Sequence, residues 1–118
     1  MSVRHASWYD TIVDDTGVKF TVLVQENVGR VLYRIIIPGE RRRVHVAKAR
    51  YSKELHEPAS FWTAEEYRGR GIARQLGALM YRDYPWEPDK PYKGPIATTG
   101  QVLHPYWGAP PKLNKQEG

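Results

Sequence analysis

Between Glu65 and Tyr81 the chain reads EEYRGRGIARQLGALMY, with Arg68, Gly69, Arg70 and Gly71 directly in front of an apolar helical pattern. Glycines cost backbone entropy and adjacent guanidinium groups repel, so the segment calls for a compensating anion. Glycine ahead of a helix lets the backbone turn tightly and leaves its amide hydrogens uncovered. The first N–H groups of a helix have no intrahelical partner and carry the positive end of its dipole. Together these features make a phosphate-type site, and Arg68 and Arg70 add charge to it. The bland alternative is an ordinary helix start with a solvated basic turn.

Two familiar phosphate-binding patterns do not fit. A Walker loop needs Gly-Lys-Ser/Thr, which the sequence lacks. A dinucleotide fingerprint needs three glycines at wider spacing inside a βαβ unit, which Gly69, Gly71 and Gly77 do not supply.

The elements that must position the segment can be read from periodicity. Residues 5–13 have weak strand character, with Trp8, Asp10 and Ile12 alternating against Tyr9, Thr11 and Val13. Asp14-Asp15-Thr16-Gly17 is turn chemistry. Over residues 18–26, Val18, Phe20, Val22 and Val24 share one face while Lys19, Thr21 and Gln25 lie opposite, the pattern of a half-buried strand. Asn27-Val28-Gly29 makes a turn, and the β-branched run over 31–37 ends at Pro38-Gly39. Residues 42–51 predict another strand. There Val44 and Val46 share parity with Lys48 and Arg50, so either the strand end is exposed or a bulge shifts its register. Connections this short predict an antiparallel meander.

A polar loop over 52–58 and a short aromatic strand over 59–63 lead into the glycine segment. A helix is expected over about 71–84, with Ile72, Ala73, Leu76, Leu79 and Met80 as its apolar stripe and Arg74, Gln75 and Arg82 off it. Pro85, Pro88, Pro91 and Pro95 stiffen the loop after the helix. Residues 94–98 read as a short last strand and 101–107 as a helical turn or an irregular piece. The expected class is α+β, a single domain over 1–108 with a disordered tail over 109–118.

With the elements in place, Arg68-Gly69-Arg70-Gly71-Ile72-Ala73 resembles the signature of the GCN5-related N-acetyltransferases, in which Arg or Gln is followed by two residues, Gly, any residue, then Gly or Ala. The context is similar too: a meander, the segment FWTAEEYRGRG, then the helix. The resemblance is close over 61–81 and looser over 18–107. It implies an acyl-coenzyme A N-acyltransferase fold built on a mixed, mainly antiparallel sheet. It places the pyrophosphate of acetyl-coenzyme A on the backbone of Arg68, Gly69, Arg70, Gly71, Ile72 and Ala73, and the pantetheine arm beside Phe61, Trp62 and Thr63. An amine of a protein, nucleotide or small molecule would attack the thioester. Glu65 is the candidate base, beside Glu57 and His56, and Tyr106 or His104 the acid that protonates the leaving thiolate.

The sequence departs from the family in two places. It lacks the two helices usual between the first two strands and the closing pair of strands after the last helix. The acceptor site is therefore open, or completed by a partner or a second copy, which makes a homodimer an expected arrangement. The alternative is a catalytically degenerate member that uses a basic face to hold nucleic acid or a partner protein.

Composition bounds both readings. The chain has 118 residues, 41% hydrophobic and 26% charged, enough for a modest core without staples. A net charge of +5 favours phosphates and other acidic partners. Arg30, Arg34, Lys48 and Arg50 fall on neighbouring strands as a candidate basic face, and Arg41-Arg42-Arg43 sits in a turn. With no cysteine there is no disulfide, thiolate site or Cys nucleophile. His5, His45, His56 and His104 lack metal-ligand spacing, so no metal is expected. No apolar run reaches membrane-spanning length and the first residues lack a signal-type apolar core, which predicts a cytoplasmic protein.

Overall fold

The computed structural model describes residues 6–86 and 112–114. Five strands run β1 (Ala6–Val13), β2 (Lys19–Glu26), β3 (Arg30–Pro38), β4 (Arg43–Ser52) and β5 (Glu57–Thr63). They form one antiparallel sheet in the order β1-β2-β3-β4-β5. A short 3-10 turn (Glu65–Tyr67) leads to a single helix, α1 (Ile72–Asp83). The class is α+β, as the periodicity implies. The segments 94–98 and 101–107, with His104 and Tyr106, lie outside the described residues.

One parity of the strands faces the helix. Ile12, Phe20, Val22, Val24, Val31, Tyr33 and Ile35 are buried there and meet Ile72, Leu76, Leu79 and Met80 of α1. Period-2 and period-3.6 patterns thus converge on one apolar layer. The parity puzzle in β4 resolves as a bulge. Ile35 pairs with Ala47 but Ile36 with His45, so Val46 is an extra residue. Val46 and Ala47 are both buried, after which Ala49 and Tyr51 face the helix. Lys48 and Arg50 thereby turn to the opposite face. A second slip, at Ala59, lies where Arg50 pairs with Ser60 but Tyr51 with Pro58.

Polar contacts fix the C-terminal end of α1. The Tyr33 hydroxyl donates to Asp83 (2.9 Å), the Tyr84 hydroxyl to Glu26 (2.7 Å), and Arg82 bonds Asp10. Tyr84 stacks on Tyr51 with centroids 4.9 Å apart.

Two expectations change. Gln75, expected off the apolar stripe, is fully buried. Its amide Nε2 donates to the carbonyl of Lys112 (3.0 Å) and its Oε1 accepts from the backbone N–H of Asn114 (2.7 Å). Within the segment expected as a disordered tail, residues 112–114 are therefore laid against the helix, with Leu113 packed on the core. A buried amide with both ends bonded offsets its desolvation, which is why a polar residue is tolerated there. Gln75→Met keeps the volume but strands both backbone partners. Urea denaturation is expected to show a loss of about 1–3 kcal/mol; an unchanged midpoint would mean the strap contributes nothing.

Candidate functional site

The glycine segment bridges the end of β5 and the start of α1. Gly69 and Gly71 both adopt φ 80°, a left-handed conformation that L side chains resist. These two reversals carry the chain from the 3-10 turn into the helix, and Gly71 is its N-cap residue. Within the described residues, no hydrogen bond is made by the backbone N–H of Gly71, Ile72 or Ala73.

The same residues line a cleft of about 150 Å³, together with Phe61, Trp62, Thr63, Tyr67, Arg68, Gly69 and Arg74. Eight of the nine residues expected to hold a cofactor line it; Arg70 does not. Trp62, expected as core or cofactor wall, is half-buried, with Lys48 5.5 Å from its ring centroid. Glu65 is exposed in the 3-10 turn. His56 is exposed with φ 56°, and Glu57 is buried where β5 begins. His104 and Tyr106 lie outside the described residues. No three His, Cys, Asp or Glu side chains gather as a metal site among the described residues.

The arginines do more than supply charge. Arg68 Nε donates to the carbonyl of Thr63 (2.9 Å), folding the loop back onto the end of β5. Arg70 lies over the Tyr67 ring (5.1 Å) and reaches to 3.9 Å from Asp14. The β1–β2 turn, read from sequence only as a turn, is thus the loop's second anchor. The backbone N–H of Asp15 donates to the Arg70 carbonyl (2.7 Å), Arg74 bonds the Asp15 carboxylate, and Asn114 Nδ2 reaches the same carboxylate (3.1 Å). Adjacent carboxylates in a basic chain were the available signal for this contact, but nothing in their spacing says which arginines they meet.

No family model matches this sequence. No curated protein or solved structure matches it either.

The site therefore stands on its own geometry. Asp14 is buried, and its Oδ1 accepts from the Thr16 hydroxyl (2.7 Å) and from the backbone N–H of Val18 (2.8 Å) and Thr16 (2.9 Å). Burial alone would raise its pKa. The three hydrogen bonds and Arg70 outweigh that and hold the carboxyl below its ordinary 3.8. Asp15 is also lowered, first by its hydrogen bond from Arg74, then by the one from Asn114.

Asp15 also touches the cleft's limits. A Cβ on Gly71 would run into the Asp15 carboxylate and the Arg74 guanidinium. A carboxylate thus stands at the rim of a would-be anion site, with Arg74 as its counter-charge. Gly69 has open space around it, so its glycine is required by φ alone.

The linkage has a definite sign. A carboxyl whose folded pKa is depressed contributes stability that is present above its unfolded value and lost as pH falls through the folded one. Asp14→Ala removes the one oxygen that accepts three hydrogen bonds and should cost about 2–3 kcal/mol at pH 7. In urea melts, the gap between wild type and variant should narrow as pH falls below the ordinary value of 3.8. A gap that stays constant through the acid range would refute the assignment.

Proposed function

We propose that the chain is a small N-acyltransferase of the GCN5-related type that uses an acyl-coenzyme A as donor. The observation that carries this reading is the cleft between β5 and α1, lined by left-handed Gly69 and Gly71 and by Ile72 and Ala73, the amides of residues 71–73 making no hydrogen bond within the described residues. The amides of residues 71–73 suit a pyrophosphate, with Arg68 beside them. A cleft of about 150 Å³ is below the size of a full cofactor pocket, so the remainder of the donor would run along β5 beside Phe61, Trp62 and Thr63.

The bound donor would supply an electrophilic thioester carbonyl. The chain's own groups would hold the phosphates, align the arm along the strand and move two protons. The attacking amine forms the amide bond and loses a proton to a base, while the C–S bond breaks and the thiolate takes up a proton. Glu65, exposed in the 3-10 turn that precedes the glycine segment, is proposed for the first transfer. Tyr106 and His104 are proposed for the second on the resemblance alone. The acceptor class, an amine on a protein or a small molecule, comes from the same resemblance.

Acetyl-coenzyme A at about 100 times its dissociation constant should add ~2.7 kcal/mol of stability, seen as a rise in melting temperature. No rise with acetyl-, succinyl- or free coenzyme A would end this reading. Gly71 is a poor test site, because any side chain there collides with Asp15 and Arg74. Ala73→Glu is better. A carboxylate in the first helical turn favours the helix by about 0.3–1 kcal/mol, yet here it occupies the cleft. The variant should keep its fold by circular dichroism and gain nothing from acetyl-coenzyme A; a retained gain would place the donor elsewhere.

A further inference from the structure

The sheet face turned away from α1 carries a pattern of which the acyltransferase reading uses only Trp62, at one end. Strand register places Tyr9 opposite Leu23, Leu23 opposite Arg34, Arg34 opposite Lys48, and Lys48 opposite Trp62. One row thus crosses all five strands, with an aromatic at each end and two cations in the middle. Along β3 and β4, successive pairs on the same face are Pro38–Arg43, Ile36–His45, Arg34–Lys48, Leu32–Arg50 and Arg30–Ser52. Each pair brings a cation or a histidine, at the ~6.8 Å two-residue repeat of a strand.

Among the described residues, the carboxylates of the strands are kept off this face. Asp10 and Glu26 bond Arg82 and Tyr84 on the helix side, and Glu57 is buried. In the β3–β4 turn, Glu40 stands against Arg41 and Arg42.

Like charges directly opposite on neighbouring strands are destabilising, so the Arg34–Lys48 pair costs the free protein something. Two polar atoms beside it are buried without a hydrogen-bond partner among the described residues, Arg34 Nε and His45 Nδ1. Arg34 spends another donor on Gln25. A cleft of about 290 Å³ lies at one end of the row, between Tyr9, Leu23, Arg34, Ile36 and Arg43. A second, of about 230 Å³, lies at the other end of β3, flanked by Arg30 and Arg50. Tyr9 is 72% exposed, a large aromatic held out to solvent by the strand.

We propose that this face binds single-stranded nucleic acid, with the Arg34–Lys48 row on the phosphates and Tyr9 stacked on a base. Charge selects a polyanion, and the exposed aromatic selects one that carries flat apolar rings. The exposed ring selects the strand number, because Tyr9 can stack only on a base that is not already paired and stacked inside a duplex. An unpaired strand can lie across such a sheet.

The test is fluorescence anisotropy with labelled 12-nucleotide RNA, the same DNA sequence, its duplex, and a polyglutamate peptide of equal length. Single strands should bind more tightly than the duplex and the peptide. With three or four phosphates neutralised, the log–log salt slope should be about −2 to −3. Lys48→Glu should weaken binding at least about tenfold and flatten the slope by about 1. Tyr9→Ala should weaken it roughly fivefold or more without changing the slope. Arg68→Glu, at the glycine cleft, should leave it unchanged, which separates this surface from the acyl-donor site. Circular dichroism of each variant confirms the fold. Whether RNA or DNA binds better reports the sugar preference and supports the proposal either way. Equal or tighter binding of duplex or peptide overturns it. So does a Tyr9→Ala variant that binds as wild type, or loss of binding with Arg68→Glu but not Lys48→Glu.

Discussion

Among the described residues one helix packs on the five-stranded sheet, and it can bury only one of the sheet's faces. At 12 residues α1 is about 18 Å long, and it spans that face to both edge strands, β1 and β5. That limit sorts the whole chain. Residues of one strand parity join the helix in the core, and residues of the other parity must live with water or with a partner. It also fixes where chemistry can sit: at the start of the helix, where the backbone leaves the sheet, and on the uncovered face. The bulge at Val46 serves this division. Without the extra residue, Lys48 and Arg50 would point into the apolar layer and Ala49 and Tyr51 out of it.

At the helix start, charge is balanced more tightly than a row of arginines implies. Arg70 and Arg74 answer Asp14 and Asp15, while Arg68 is tied to the end of β5. The loop's positive character toward the cleft therefore comes from Arg68 and the free amides. The carboxylate of Asp15 limits how much anion the rim can take, and Arg74 beside it compensates. That balance is the physical basis for proposing a single diphosphate at the cleft and an extended polyanion on the far face of the sheet.

Much of the architecture was legible in the sequence because it rests on short-range rules. Alternation over β2 and β3, the turn residues between strands, and the apolar stripe of α1 each declare themselves within a few residues. The glycine segment was legible for the same reason: its conformation is a local demand, and Gly69 and Gly71 meet it with φ 80°. What stayed hidden was contact between distant segments. Gln75 reads as a polar helix residue until residues 112–114 cover it. Asp14 and Asp15 read as a turn until Arg70 and Arg74 arrive beside them. The parity conflict in β4 was visible, but its resolution needed the pairing with β3, which propensity does not encode.

The convergence at the helix start has a kinetic side. Asn114 Nδ2 donates to the Val13 carbonyl (2.7 Å), 101 positions earlier, and Arg74 meets Asp15 across 59 positions. The hairpins of the meander close small loops and can form early, whereas these clasps must wait for large loops to close. The shape of the cleft thus depends on contacts that span nearly the whole sequence, so its integrity gauges the joining of distant segments rather than the quality of any one hairpin.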